Sequence, residues 1–261
     1  FNIRCEKISS INKKKFVAKY YLVNNNNFNS IKSETESLLY LIKIFPNLFP
    51  LVRYHSSELL IMDYIEANNV KNSRYQNILA DQILKLHNIK NEKYGFFFNS
   101  QIGGIKQDNT FECDWLNFFR EKRLSMIFEK INSTNPLPTS INKKIEELIN
   151  KLGDLIPNKP RASLLHGDLW PGNILFNNGK IVSFIDPGIY FGHNELEIAY
   201  LRWFKFVDIN FINYYSSIRK VDRYYFNYEP IYQLYFSLLN VHLWSRDYIK
   251  DVNILLKKIK I

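Results

Sequence analysis

Apolar residues alternate with polar ones, or recur at helical spacing, in patterns that divide the chain into two parts. In residues 1–67, alternation predicts short strands, and one stretch of helical spacing predicts a helix that a proline ends. The predicted elements are strands Phe1–Ser9, Lys15–Val23, Val52–Tyr54 and Leu59–Tyr64, a polar linker Asn24–Ser30 and a helix Lys32–Phe45. We therefore expect a small antiparallel sheet with one helix.

Residues 68–261 read mainly as helices. Apolar residues at helical spacing predict helices at Arg74–Ile89 and Pro138–Ile156 and over most of Val207–Ile261. The two parts together predict an α+β fold, in which a small lobe of strands and one helix precedes a larger and mostly helical lobe. We place the boundary between residues 67 and 68.

A β-hairpin is predicted between residues 174 and 185. Its turn is Asn178-Gly179, which lies between two runs of β-branched and aromatic residues and is a strong hairpin signal. With this turn, the numbers of paired residues sum to 357, which sets Asp186 opposite Pro171 and close to Asn173. The hairpin therefore brings a carboxylate and a carboxamide to the same end.

Asp168 lies in the loop next to this end, in His166-Gly167-Asp168. Two oxygen ligands such as those of Asn173 and Asp186 suit Mg²⁺, which fills its other positions with water and phosphate oxygens. The remaining carboxylate can accept a proton from a substrate hydroxyl. These roles are typical of kinase phosphoryl transfer, so we predict Asp168 as general base and the other two as metal ligands. An ordinary polar hairpin is the alternative.

Lys19 lies among apolar residues of the second predicted strand and is a candidate to bind the α- and β-phosphates of a nucleotide. A solvent-facing lysine is the alternative. Ser33 and Glu36 have the spacing of a capping box, which favours a structural role for Glu36. Glu34 is then the residue that we expect to pair with Lys19.

Two segments carry a resemblance to a known family. HGDLWPGNIL at 166–175 and FIDPGIYFGHNELEIAY at 184–200 resemble the fructosamine kinase (ketosamine-3-kinase) family, within the aminoglycoside phosphotransferase and choline kinase-like group. The segment YGFFFNSQIGGIKQDNTFECDWLNFFREKRL at 94–124 resembles the pattern that separates this family from general aminoglycoside kinases. The resemblance covers nearly the whole chain.

The resemblance implies a protein kinase-like fold whose two lobes bind ATP and Mg²⁺ between them. It also implies an acceptor, the 3-hydroxyl of a ketoamine, which is an early glycation adduct on an amine or lysine, so that the function is deglycation. The family's Gly-rich turn would precede the first strand, but the chain has no glycine before Gly95. The alternatives are a kinase for another small hydroxylated metabolite and a catalytically weak pseudokinase.

Further candidate residues follow from position. The expected contact with adenine is the backbone of Asp63, Tyr64 and Ile65, with Met62 either on the base or in the core. For the acceptor, the candidates are Trp170, Gln107, Asn109, His193 and Glu195. Trp170 either stacks on the substrate or braces the loop, and the roles of His193 and Glu195 cannot be read from spacing.

Other residues favour structural roles. We expect Trp115 to pack in the core, Arg123 to pack or to form a surface pair, and His87 to lie at the helix end or in the core. His166 is expected to brace the loop that it begins. His242 and Trp244 also favour packing over the substrate cleft, and Asn194 with Glu197 favours a second capping box. These expectations separate the candidate site from its scaffold.

The composition of the chain mainly excludes certain classes of partner. The net charge is +10, but the basic residues are scattered, so we expect no nucleic-acid partner. Cys5 and Cys113 are the only cysteines, and no apolar stretch approaches the roughly 18 residues of a membrane span. We expect a cytoplasmic protein with no membrane partner, and a monomer or weak dimer, with Cys5 as a possible redox link.

Overall fold

The computed structural model describes residues 3–22 and 28–260. The first two positions of the predicted strand Phe1–Ser9, the last position of Lys15–Val23 and most of the predicted linker Asn24–Ser30 lie outside the described residues, as does Ile261.

The small lobe contains an antiparallel sheet whose strands lie in the order β1-β2-β4-β3. These strands are β1 (Ile3–Ser9), β2 (Lys15–Tyr21), β3 (Val52–His55) and β4 (Leu59–Asp63). Helix α1 (Ser30–Ile44) packs on β3 and β4 through buried residues such as Leu38 and Leu41. In the sheet, Lys19 of β2 lies between Cys5 of β1 and Leu60 of β4. The predicted strands and helix of this lobe are confirmed within the described residues.

Helix α1 begins two residues before the predicted start. Asn29 is its N-cap, since the Asn29 side chain accepts a hydrogen bond from the Lys32 backbone nitrogen at 2.8 Å. The predicted Ser33–Glu36 capping box is therefore wrong. Ser33 lies inside the helix and its hydroxyl donates to the Asn99 carbonyl at 3.2 Å, while Glu36 is 3.8 Å from Lys32. The earlier asparagine supplies the cap because its short side chain reaches the first free N–H groups.

The large lobe is mostly helical, as predicted. Its helices are α2 (Tyr75–His87), α3 (Trp115–Phe119), α4 (Met126–Thr134), α5 (Thr139–Leu155), α6 (Asn194–Trp203), α7 (Ile209–Ile218), α8 (Tyr225–Leu243) and α9 (Ile249–Lys258). A π-helical stretch, Arg120–Ser125, joins α3 to α4, and Pro171–Asn173 and Arg246–Tyr248 are short 3-10 turns. Helix α8 is apolar on nearly all sides and is buried over most of its length, so it forms the centre of the lobe.

Small sheets carry the loops of the site. They are formed by β5 (Lys90–Asn91), β6 (Ser100–Ile102), β7 (Ile105–Gln107), β8 (Ala162–Leu165), β9 (Ile174–Asn177), β10 (Lys180–Phe184) and β11 (Tyr190–His193). Strand β8 lies between β11 and β5, β6 pairs with β7, and β9 pairs with β10. Because β8 is fully buried, the loop that follows it starts from a fixed point.

Trp115 is a core residue, as expected. Its ring is fully buried and its indole Nε1 donates to the Tyr232 hydroxyl at 2.7 Å. Arg123 is buried too, with its guanidinium over the ring of Tyr190, so its packing role is confirmed. Within the described ranges, no helix is both long enough and apolar enough to span a membrane.

Candidate active site

The hairpin forms around the predicted turn but contains a bulge. Asn178 and Gly179 both have positive φ, as a tight hairpin turn requires, and the first pairs beside them follow the predicted register. Beyond Ile181 a β-bulge shifts the register by one residue. Continued along the strand, this shift sets Asp186 opposite the residue after Pro171. The predicted register is therefore wrong beyond the bulge, although Asp186 still lies at the expected end.

Asn173 connects this end of the hairpin to the loop after β8. Its carbonyl oxygen accepts from the Ile185 backbone nitrogen at 3.0 Å, next to Asp186. The side-chain nitrogen of Asn173 donates to the Asp168 carbonyl oxygen at 2.8 Å and lies 3.4 Å from the Asp168 carboxylate. Since its nitrogen faces Asp168, the Asn173 side-chain oxygen is the atom left for a cation.

Lys19 joins the two lobes. Its ammonium lies 2.7 Å from the Glu34 carboxylate of α1 and 2.6 Å from that of Asp186. Burial opposes the positive charge, but the two carboxylates outweigh this effect and raise the pKa of Lys19. The lysine is therefore charged at neutral pH. The predicted Lys19–Glu34 pair is present, and Asp186 is a second partner that spacing alone did not predict.

Asp168 lies in an environment that disfavours its charge. Burial, and then the neighbouring Asp186 carboxylate, raise the pKa of Asp168 to about 7, while hydrogen bonds from Tyr200 and Asn173 act in the opposite direction. The Tyr200 hydroxyl donates to the Asp168 carboxylate at 3.4 Å. A carboxylate that titrates near neutral pH has the basicity suited to proton transfer.

The loop before Asp168 is held from several sides. Gly167 has a φ of +85°, and a Cβ there would collide with the Gly188 carbonyl oxygen, so glycine is required. Its backbone nitrogen donates to the Glu197 carboxylate at 2.9 Å. His166 is fully buried and stacks on Phe49, in agreement with the predicted bracing role.

An aromatic cavity of about 260 Å³ opens beside Asp168. Much of its wall is aromatic, contributed by Trp170, Tyr200, Phe204, Trp244 and Tyr248. Trp170 packs beside Phe204, with ring centres 5.7 Å apart, yet it keeps 37% of its surface exposed. Trp170 therefore both packs in the loop and faces the cavity, and its stacking on a substrate stays a prediction.

This site lies within the part of the chain that a family model covers. The model of the family described as fructosamine kinase matches residues 5–261. The chain belongs to the fructosamine kinase family. The resemblance found in the sequence is thereby confirmed, and an ATP-dependent phosphotransferase acting on a hydroxyl group is the activity class of the family.

Individual relatives agree with the family match. An Enterococcus faecium protein assigned as a ketoamine kinase is 29% identical over 213 residues, which cover 81% of this chain and 76% of that protein. The chloroplastic protein-ribulosamine 3-kinase of Arabidopsis thaliana is 29% identical over 192 residues, covering 72% of this chain and 58% of that one.

A solved structure shows the fold. A crystal structure from Thermobifida fusca, assigned as a fructosamine-3-kinase, aligns with a TM-score of 0.88 over 99% of this chain and 90% of that chain, at 20% sequence identity. The expected two-lobed, protein kinase-like fold is therefore confirmed. The boundary at residues 67 and 68 stays a prediction.

Two polar residues predicted for the acceptor serve the scaffold of this fructosamine kinase fold. Gln107 and Asn109 are fully buried. The Gln107 amide nitrogen donates to the Gln101 carbonyl at 3.2 Å, and the Asn109 amide nitrogen donates to the Ser100 hydroxyl at 2.9 Å. The prediction that they contact a polyol is wrong, because their hydrogen bonds are made inside the protein.

The signature residues His193 and Glu195 are also buried away from the acceptor cavity. His193 Nδ1 is 2.8 Å from the Tyr232 hydroxyl, and the Glu195 carboxylate accepts from the Asp222 backbone nitrogen at 2.7 Å and from the Tyr228 hydroxyl. This geometry gives no support to the predicted acceptor contacts of either residue. They stabilise the start of α6 and the connection to α8.

Trp244 was expected to be buried but is exposed, which is the reverse of the outcome for the residues above. Packing was the favoured interpretation, but 64% of Trp244 is exposed and its ring lines the aromatic cavity. A tryptophan at the end of an apolar helix gives no sequence signal that separates core from cleft. The helix ends at Leu243, so the side chain of Trp244 lies just beyond the core.

The predicted second capping box is wrong, and this error concealed two site residues. Helix α6 has no side-chain cap, and the Asn194 side chain donates instead to the Tyr215 hydroxyl at 3.0 Å. Glu197 faces the loop and Tyr200, one turn later, faces Asp168. Their three-residue spacing on one helical face was the available signal.

The predicted adenine contact has a partly defined geometry. Met62 is buried in β4, and the Asp63 carboxylate forms a two-pronged pair with Arg53 at 2.7 and 2.6 Å. The backbone nitrogens of Asp63 and Tyr64 already donate to carbonyls at 2.9 and 3.2 Å. The Ile65 backbone nitrogen is thus the best placed of the three predicted groups, and the adenine role stays a prediction.

Proposed function

We propose that the chain transfers the γ-phosphoryl group of ATP to the 3-hydroxyl of a ketoamine, and so acts in deglycation. The proposal depends most on the position of Asp168, which lines the aromatic cavity and is close enough to Asp186 to be affected by its charge. A fructosamine kinase family match over nearly the whole chain supports the acceptor class and favours it over other small hydroxylated metabolites.

On the nucleotide side, we assign phosphate binding to Lys19, which Glu34 orients, and adenine binding to the Ile65 backbone. Among the residues that the structure describes, no group of three His, Cys, Asp or Glu side chains could hold a metal ion. Asn173 and Asp186 instead offer two hard oxygen ligands, a set that fits Mg²⁺ shared with phosphate oxygens. When bound, Mg²⁺ supplies neutralisation of the negative charge of the phosphates.

On the acceptor side, Asp168 accepts the proton of the attacking hydroxyl while Tyr200 and Asn173 keep the carboxylate oriented. Because phosphoryl transfer needs little covalent help, the protein acts mainly by position and charge. The loop residue Trp170 and the helix-end residue Trp244 offer ring faces to the sugar and to the protonated amine of the ketoamine.

The cavity also suggests which ketoamines are accepted. Among the described residues that line it, Asp168 is the one charged side chain and none is basic. These residues therefore offer no ion-pair partner for the carboxylate of a free amino-acid adduct or for a sugar phosphate. We propose a ketoamine on a lysine within a peptide or protein, or on a small uncharged amine, as the preferred acceptor.

The test is ATP consumption with Mg²⁺ and one acceptor at a time. The acceptors are a peptide with a blocked ribulosyl-lysine, the fructosyl equivalent, free fructosyl-lysine, an aminoglycoside and no acceptor, with Asp168→Asn as the inactive control. We expect turnover with both blocked peptides, weaker turnover with free fructosyl-lysine and none with the aminoglycoside. Turnover with the aminoglycoside alone would overturn the ketoamine assignment.

A further inference from the structure

We propose that Glu197 is a positioning residue, whose buried carboxylate holds the Gly167 backbone N–H and thereby sets the direction of Asp168. This inference rests on the proposed function, since it concerns the same loop. It differs from the sequence interpretation, in which Glu197 completed a helix cap.

The contact is well defined at both ends. The Glu197 carboxylate accepts from the Gly167 nitrogen at 2.9 Å, and both residues are buried. On its other side, Gly167 lies against the Gly188 carbonyl, and the Gly188 nitrogen donates to the His166 carbonyl at 2.9 Å. The Gly167 N–H belongs to the His166–Gly167 peptide, so rotation of this peptide, one residue before Asp168, would break the bond to Glu197.

The second carboxylate oxygen of Glu197 is fixed by His87. His87 Nε2 lies 3.1 Å from it, and burial lowers the pKa of His87, so the imidazole is neutral and donates through this nitrogen. Burial works against the Glu197 charge, but the interactions with His87, His166 and Gly167 outweigh it and lower the pKa of Glu197. Glu197 is therefore a carboxylate that can only accept, and both of its donors are in place.

Beyond His87, a series of side chains donates hydrogen bonds in one direction, towards Glu197. The Tyr215 hydroxyl lies 2.8 Å from His87 Nδ1 and donates to it, and the Asn194 amide nitrogen donates to Tyr215 at 3.0 Å. Arg219 then donates to the Asn194 side-chain oxygen at 3.1 Å and to the Ser163 hydroxyl at 2.7 Å. Ser163 belongs to β8, the strand that leads into the loop.

The network therefore begins and ends on the β8–loop segment. A chain of bonds in which every donor has an acceptor is stiff, and each member limits the movement of the next. Helix α6 contacts the loop a second time one turn later, where Tyr200 reaches the Asp168 side chain. Thus α6 fixes the backbone of residue 167 and the side chain of residue 168 together.

Glu195 offers a matched control on the same helix. It is 2% exposed, against 3% for Glu197, and its carboxylate also accepts two hydrogen bonds. Its partners are Tyr228 and Asp222, which lie outside the loop. Loss of either carboxylate removes two buried hydrogen bonds, but only the loss at Glu197 releases Gly167.

The experiment compares steady-state kinetics and thermal unfolding of Glu197→Gln, Glu197→Asp and Glu195→Asp. We expect Glu197→Asp to lower kcat about 100-fold with the KM for ATP nearly unchanged, because a shorter side chain leaves Gly167 without its partner. Glu197→Gln keeps an acceptor oxygen at the original reach, so its kcat should stay within about tenfold of the wild type. Glu195→Asp should lower Tm with kcat within about threefold of the wild type.

If Glu197 acts by position, the variant with the full side-chain length, Glu197→Gln, keeps the higher kcat. If it acts by its charge, the charged variant, Glu197→Asp, keeps the higher kcat. Equal kcat losses in Glu197→Asp and Glu195→Asp, or a smaller loss in Glu197→Asp than in Glu197→Gln, would overturn the proposal.

Hydrogen exchange of the Gly167 amide separates this inference from the proposed function, because it needs no turnover. Faster exchange in Glu197→Asp than in Glu195→Asp supports the positioning role even if no ketoamine is phosphorylated. Equal exchange rates in the two variants would overturn it, whatever the substrate.

Discussion

The two sides of Asp168 use different kinds of interaction. Towards the small lobe, Lys19 lies within 2.7 Å of the carboxylates of both Glu34 and Asp186, in a cluster of charges in which Lys19 and Glu34 are buried. Towards the large lobe, the cavity is walled mainly by aromatic rings, among them Trp170 and Trp244. One side therefore depends on charge and the other on ring faces.

This difference indicates how the two ligands are selected. Buried charges at fixed distances favour one arrangement of phosphates and penalise any other, because a misplaced charge stays unpaired. Ring faces accept ligands of several outlines as long as they present a flat or cationic surface. The chain is thus expected to be strict towards the nucleotide and tolerant towards the amine that carries the sugar.

The largest effect is expected where the two sides meet. Asp168→Asn should lower kcat by about 10³, since it removes the general base, while binding of Mg²⁺ with ATP is retained. Initial rates and nucleotide titration measure the two properties. Turnover at the wild-type rate would contradict the assignment of Asp168 as the base.

The same variant should be more stable than the wild type. The Asp168 carboxyl ionises near 3.9 in an unfolded chain, whereas its pKa in the folded chain is about 7. The folded state thus keeps a proton that the unfolded state has lost, so stability falls as pH rises through this interval. The gain in Tm for Asp168→Asn should therefore be larger at pH 8 than at pH 5, and a gain that is larger at pH 5 would contradict this reasoning.

On the charged side, Lys19→Met should lower kcat/KM for ATP by about 100-fold and destabilise the fold by about 3 kcal/mol, because Glu34 is left buried without its cation. Kinetics with varied ATP and denaturant unfolding measure both effects. The control is Lys151→Met, which removes an exposed pair with Glu147 on α5. Comparable losses in the two variants would show that the buried cluster has no special role.

On the aromatic side, Trp244→Ala should raise the KM for the acceptor about tenfold and leave the KM for ATP unchanged, since a ring face of the cavity is lost. Trp244→Phe should recover most of the affinity. Phe226→Ala is the control, because Phe226 is 49% exposed and lies outside the cavity lining. An increase in the KM for ATP would contradict the separation of the two sides.

The smallest effect is expected on the pKa of the Asp168 carboxyl group. The hydrogen bond from Tyr200 favours the charged form and lowers the pKa of Asp168. Tyr200→Phe should therefore move the acidic limb of the profile of kcat/KM against pH to higher pH, with a smaller loss of rate at high pH than Asp168→Asn shows. Tyr228→Phe removes a buried hydroxyl that bonds Glu195 and should leave the limb unchanged. An unmoved limb in Tyr200→Phe would exclude this contact as a determinant of basicity.

The sequence was a good guide wherever the signal is local. Period-two and helical patterns predicted most elements, because strand and helix each have a fixed geometry. The Asn178-Gly179 turn was predicted for the same reason. The Lys19–Glu34 pair was also predicted, although the capping box that set Glu36 aside is absent from the structure. Family resemblance then supplied the chemical class.

The sequence was a poor guide wherever a side chain can lie either in the core or at the surface. Gln107 and Asn109 have the composition of a ligand-binding loop, but their partners are backbone and hydroxyl groups that only the folded chain brings near. Trp244 has the composition of a core residue but faces the cleft. Glu197 was assigned to its own helix because its true partner, Gly167, lies 30 residues away in the chain.

The bulge beyond Ile181 has a consequence for hairpins of other lengths. Side chains on a strand alternate between faces, so inserting one residue into one strand would turn every side chain beyond the insertion to the opposite face. A second bulge would have to absorb that insertion. Lengthening each strand by one residue would keep their ends level. Relatives are therefore expected to vary in this hairpin by two residues at a time, or to move the bulge, so the number of residues between Asn and Asp is a weak guide to the centre.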